Sequence, residues 1–256
     1  MAGLRTSSGS LVRGLRVEES YAVFQAWDFD KNPEENFETI LQNDVMGNAS
    51  GYSQKAFLSA IKRRFDFTGA DRALVEMAKR GVSFDIFRPV LLWHTARREV
   101  VLHLFLTDWL YQRFSDGILY LRAEDVRPFT ASLASRGVIP KRWSQASEHR
   151  VASALLTMAK EAGLVKGHIR REFTPYHLPD DAFLYLLHAM SEVQPNAHAV
   201  VHSPDWRMYL MDVSDVEREL FRLHQYRRVH YEVAGTLAQL SLPCATAAAF
   251  VEEMAL

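Results

Sequence analysis

Apolar residues recur at helical spacing through the first half of the chain. Leu15, Tyr21, Ala22, Phe24 and Trp27 share one side of a helix predicted over residues 15–27, which stops at the turn-rich stretch 28–33. Further helices are predicted over 34–42, 54–65, 72–79, 84–94 and 99–114. Ser53, Thr68 with Asp71, and Ser83 stand where N-caps belong, and Gly81 is a stop signal. The 54–65 helix ends in the basic patch Lys62-Arg63-Arg64. The last helix of the series is apolar on most sides, which suits the buried centre of a bundle.

The pattern changes after Asp116-Gly117. Helices are predicted over 125–135 and 145–163, separated by a turn around Pro140, with Ser144 or Ser147 as the cap of the second. That second helix has a buried stripe of Val151, Ala152, Leu155, Ala159 and Ala162. Its outer face carries His149, Arg150, Ser153, Thr157 and Lys160. HIRREFTPY (168–176) reads as a strand or short hairpin. Asp180 is expected to cap a helix over 181–190, and Ser214-x-x-Glu217 to form a capping box before a helix over 215–225. Strands are predicted over 227–232 and 237–242, turning at Ala234-Gly235-Thr236. Val229, Tyr231 and Val233 would face Ala238, Leu240 and Leu242 on one buried side, with a C-terminal helix after them.

With 256 residues, 48% apolar and 24% charged, the chain has the composition of an ordered, cored protein, and a disordered one is excluded. One cysteine, Cys244, excludes a disulfide scaffold and fits a reducing compartment. The N-terminus holds no apolar run of signal-peptide length. The longest charge-free run, 233–251, is interrupted by Gly235, Thr236, Gln239, Ser241, Pro243 and Thr246. A soluble, cytoplasmic protein is expected.

Usual catalytic signatures are missing: no phosphate-binding G-x-x-x-x-G-K-[ST], no G-x-G-x-x-G, no G-x-S-x-G and no E-x-K. His198 and His202 have the spacing of two helix-borne metal ligands, but no third ligand accompanies them. Cys244 has no basic neighbour and reads as a structural thiol. Trp27, Trp93, Phe105, Trp109 and Tyr111 lie on apolar helical faces, as core aromatics do; Trp143 and Tyr176 are candidates for surface contacts. No catalysis, cofactor or metal is expected.

Charge is uneven although the net charge is only −1. Residues 136–171 hold eight Lys or Arg against two Glu, a net of +6. Two helices joined by a turn and followed by a hairpin is the order of a winged helix-turn-helix, whose second helix enters the DNA major groove. In that reading Ser153 and Thr157 approach base edges. Lys141, Arg142, Arg150 and Lys160 neutralise phosphates, and Arg170 and Arg171 track the backbone. Arg150 and Arg171 are both expected to be exposed. The alternative is a solvated basic face on a protein-binding scaffold.

Four stretches also carry a resemblance: SSGSLVRGLRVEESYAVFQAW, YSQKAFLSAIKRRFDF, LLWHTARREVVLHLFLTDWLY and VASALLTMAKEAGLVKGHIRREFTPYHLPDDAFLYLLHAM. Together they resemble the BrxA family of BREX bacteriophage-exclusion systems, once labelled an inner-membrane protein of unknown function. The likeness runs over residues 7–210 and rests on order and texture rather than on an invariant catalytic signature. It implies an all-helical, partly NusB-like protein without catalytic activity, encoded beside a methyltransferase, an alkaline-phosphatase-like protein and ATPases. It also implies double-stranded DNA binding, and no family active site exists to carry over.

The combined expectation is a mainly α protein. Residues 1–121 would form an N-terminal helical bundle, and 122–256 a winged-helix-like part with one or two short β-hairpins and a C-terminal helix. It would act as a non-enzymatic double-stranded-DNA-binding accessory of antiviral defence, with other BREX subunits as further partners and no membrane contact. A scaffold without direct DNA contact is the alternative.

Overall fold

The computed structural model describes residues 7–47, 51–234 and 237–254. Its first half runs α1 (Ser8–Leu11), α2 (Val17–Gln25), α3 (Pro33–Gln42), α4 (Gly51–Arg64), α5 (Arg72–Lys79) and α6 (Phe84–Arg98). Then come α7 (Val100–Leu104), a π-helical stretch (Phe105–Leu110) and α8 (Tyr111–Ser115). The second half begins with α9 (Ala123–Ser132), α10 (Gln145–Glu161), β1 (Val165–Gly167) and β2 (Arg171–Phe173). It continues with α11 (Asp180–Val193), α12 (Ala197–Val201), a 3-10 helix (Pro204–Tyr209) and α13 (Val213–Gln225). It closes with β3 (His230–Ala234), β4 (Leu237–Ser241) and α14 (Ala247–Glu253). The protein is thus mainly helical with two small antiparallel two-stranded sheets.

Apart from the one over 99–114, every helix predicted from apolar spacing lies within about one turn (3.6 residues) of its expected bounds. Several ends are set differently. The capping box of α13 is Asp212 with Asp215, not Ser214 with Glu217: the Asp212 carboxylate accepts from the Asp215 amide at 2.9 Å, and Ser214 donates to it from inside the helix. Starting there turns Val216, Leu220 and Leu223 inward. Pro179, not Asp180, is the N-cap of α11, because the Asp180 carboxylate pairs with Arg222 of α13. Asp71 and Ser83 stand at N-cap positions but make no capping bond. The Asp71 carboxylate instead accepts from the Asp66 amide at 2.7 Å and from buried His94.

The long apolar helix predicted over 99–114 is broken by the extended backbone of Glu99 and by its π-helical middle. Helices α9 and α10 pack on each other, and one apolar core runs from Leu11 to Met254. Helix α5 meets α14 and α6 meets α11, so the two stretches 1–121 and 122–256 share that core. The charge-free run 233–251 contains β4 and part of α14. Among the described residues no helix is long and apolar enough to cross a membrane.

The β3–β4 pair has the expected facing residues, Tyr231 opposite Leu240 and Val233 opposite Ala238. Burial is confined to the base of this hairpin. Tyr231 is buried, whereas Val233, nearer the tip, is 43% exposed. The expected turn residues Gly235 and Thr236 lie outside the described residues.

Candidate nucleic-acid interface

Helix α10 is positioned by its own sequence. The Ser144 hydroxyl caps it by accepting from the Ser147 amide, and Val151, Ala152, Leu155 and Ala159 bury its inner side. The β1–β2 hairpin folds back onto its C-terminal end, where the Leu164 amide donates to the Ala159 carbonyl at 3.0 Å. Leu121, just before α9, exchanges two backbone hydrogen bonds with Arg171. Three extended segments therefore lie in the order Leu121, β2, β1 beside the α9–α10 pair.

The eight cations of 136–171 do not act alike. Arg136, Arg142 and Lys166 pair with Asp108, Glu148 and Glu172 at 3.3, 2.8 and 3.9 Å. The bond to Glu148 raises the Arg142 pKa, and the carboxylate offsets the guanidinium charge. Lys141, Arg150, Lys160 and Arg170 have no carboxylate partner among the described residues. Arg150, Ser153, Thr157 and Lys160 form one outward stripe of α10. Lys160 Nζ reaches His168 Nδ1 at 3.5 Å, joining the stripe to the hairpin. Arg170 lies with its guanidinium carbon 3.1 Å from the centre of the Tyr120 ring.

Arg171 corrects the expectation of exposure. It is only 7% exposed, because its strand position opposite Gly167 turns the side chain inward. Its Nη2 donates to Thr157 Oγ1 at 3.3 Å, while Nε has no partner, and burial lowers its pKa. The residue ties the hairpin to α10. Thr157 and Ser153 are half-buried, with the Thr157 hydroxyl donating to the Ser153 carbonyl at 2.9 Å.

The structure adds a partner from the far end of the chain. The segment after α1 crosses α10, and Glu161 accepts from the Leu15 and Arg16 amides at 2.7 and 3.3 Å. Between them lies a groove of about 480 Å³ lined by Arg13, His149, Arg150, Ser153, Thr157 and Glu161. Nothing near Arg13 in sequence signals this meeting.

Other candidates are absorbed by packing. The His198 and His202 rings stack 3.8 Å apart, and no group of three or more His, Cys, Asp or Glu suited to a metal occurs among the described residues. Burial and the Glu253 carboxylate push the Cys244 thiol up, away from thiolate. Trp143 packs against the core, and Tyr176 stacks on Tyr209 with its hydroxyl pKa raised by burial.

The family model for BrxA matches residues 7–189, spanning α1 through most of α11. The chain belongs to the BrxA family. BrxA membership connects it with BREX phage defence, and the match includes the α9–α10 pair and the β1–β2 hairpin. Among solved structures, a crystal structure of an uncharacterized protein from Magnetospirillum magneticum is similar, with a TM-score of 0.62 at 14% identity. It covers 81% of this chain and 100% of that one, a likeness of fold. No curated protein matches the chain.

Proposed function

We propose that this BrxA-family protein is a non-enzymatic accessory of phage defence that binds double-stranded DNA through α10 and the β1–β2 hairpin. One observation carries the reading: among the described residues Arg150, Lys160 and Arg170 stand without carboxylate partners along one outward stripe and its adjoining hairpin. Helix, turn, helix and hairpin, with Leu121 beside β2, has the order of a winged helix. The first two turns of α10, with exposed His149 and Arg150, are the part free to enter a groove. Arg171 contributes as a positioning residue rather than as a phosphate contact.

A duplex-binding titration against salt tests this. Counterion release gives a log–log slope of about −0.9 per phosphate neutralised. The Arg150→Glu, Lys160→Glu double variant should bind far more weakly with a shallower slope, whereas Lys55→Glu, Arg63→Glu on α4 should leave both unchanged. Arg97 and Arg98 are poor controls, since Arg97 lies over Trp93 and Arg98 reaches buried Asp71 at 3.8 Å. Salt-insensitive binding, or full binding by the α10 variant, would favour the scaffold reading. Exposed Ile118, Leu119 and Tyr120, beside Phe114 and Phe173, supply that reading's apolar surface.

A further inference from the structure

The link between α8 and α9 contains Gly-Ile-Leu-Tyr-Leu (117–121), a run with no charge and no proline. Leu121 is buried and exchanges two backbone hydrogen bonds with Arg171, so the link is the outer strand of the small sheet Leu121, β2, β1. Along an extended chain, successive residues turn their N–H and C=O groups to opposite edges. Those of Leu121 point to β2, and those of Tyr120 therefore point away from the sheet. Among the described residues neither group of Tyr120 has a hydrogen-bond partner.

Residues 114–120 are exposed throughout, and Leu119 is 72% exposed. Phe114 and Phe173 meet edge to face beside them and line a depression of about 300 Å³ with Ile118, Leu119 and Tyr120. Natural sheet edges are blunted by charge, proline, a bulge or a covering element. An apolar edge with none of these is built to receive another strand.

The outward groups select the occupant. The Ile118 N–H is taken by the Arg113 carbonyl, and the Arg122 N–H by the Asp125 carboxylate. Tyr120 alone in 118–122 offers both groups outward. Two copies of this chain laid antiparallel, with a twofold axis at Tyr120, satisfy both groups reciprocally. Leu119 of one copy then lies opposite Leu121 of the other, and Ile118 opposite Arg122. Asp116 and Arg122 have no ion pair among the described residues, and this register brings Arg122 within two positions of Asp116 of the second copy. A net charge of −1 per chain opposes the pairing little.

We propose that residues 118–121 form a homodimer interface, in which two outer strands pair antiparallel about Tyr120 and join two small sheets into one. The pairing does not depend on the DNA-binding reading.

Light scattering on the full chain at micromolar concentration tests this. The wild type should have twice the chain mass. Leu119→Lys, which places a charge on the apolar edge, should reduce it to one chain with an unchanged thermal melt, and Leu119→Ile should keep the dimer. The register is read by oxidation in a Cys244→Ser background. Facing residues that exchange both hydrogen bonds have Cα atoms about 5.5 Å apart, within disulfide reach. Tyr120→Cys should therefore give a disulfide-linked dimer. Leu119→Cys should not, because the two copies of that residue sit on a diagonal. A wild type with the mass of one chain overturns the proposal and leaves the apolar edge to a different protein. A dimer that survives Leu119→Lys overturns it too, and failure of Tyr120→Cys to cross-link overturns the pairing about Tyr120.

Discussion

The run Lys62-Arg63-Arg64 has the look of a solvated basic patch, yet Arg64 is 2% exposed. It shares a helix face with Phe57 and Ile61, and burial there requires every donor to be matched. Nη1 donates to the Gly14 carbonyl and Nη2 to the Ser10 carbonyl, both at 2.7 Å, and Nε to Glu99 at 3.2 Å. Ser10 donates to the same Glu99 carboxylate. Arg64→Ala would leave the Glu99 charge buried without a counter-charge, and we expect a loss of about 3–5 kcal/mol in urea unfolding. Arg64→Met combined with Glu99→Gln should recover much of it. A single-variant loss under about 1 kcal/mol would show that the guanidinium does not hold the N-terminal segment.

At the scale of elements, that segment is a strap pinned at two points, by Arg64 from α4 and by Glu161 from α10. Burial raises the Glu161 pKa, and the Leu15 and Arg16 amides only partly oppose it. A raised carboxyl contributes stability below its unfolded pKa and loses it as pH rises through the folded value. Its charge is therefore a cost at neutral pH. Glu161→Gln, which keeps an acceptor and removes the charge, should be at least as stable as the wild type at pH 7. Glu161→Ala strands two amides and should cost about 1–3 kcal/mol, with faster proteolysis of residues 7–16. Equal losses in both variants would contradict this account. Helices and hairpins were legible here because apolar period and turn residues are local. The strap was not, because its partners lie some 145 residues away.

Across the whole molecule, buried titratable groups sit on the seam between the two halves. His94 of α6 bonds Asp71 at 2.5 Å and Tyr185 of α11 at 2.8 Å. Burial alone would raise the Asp71 pKa, but the His94 bond and charge, the Asp66 amide and Arg98 outweigh it and hold it low. His188 of α11 stacks on Phe250 of α14, donates to the Leu184 carbonyl and accepts from the Cys244 amide. Burial lowers its pKa below the ordinary 6.5. Both depressed values mean stability that is complete above the unfolded pKa and lost as pH falls through the folded one. The urea midpoint should therefore hold above pH 6.5, then fall below it as His188 is forced to protonate, and fall again in acid as Asp71 does. His188→Gln should flatten the first decline only. A midpoint constant from pH 8 to pH 5 would exclude the effect.

What the sequence by itself determined was the helical series, the facing residues of the β3–β4 hairpin, the outward stripe Arg150, Ser153, Thr157 and Lys160, and the family. Each follows from spacing within a single element or from residue order. Tertiary structure alone decided which cations remain unpaired. Arg142 looks free until Glu148 is seen beside it, Arg171 looks exposed until its strand position turns it inward, and Arg13 joins the groove only because the strap crosses α10. Periodicity reports which side of an element faces the core. It says nothing of which charge from another element meets a given residue there, since that depends on how the elements pack.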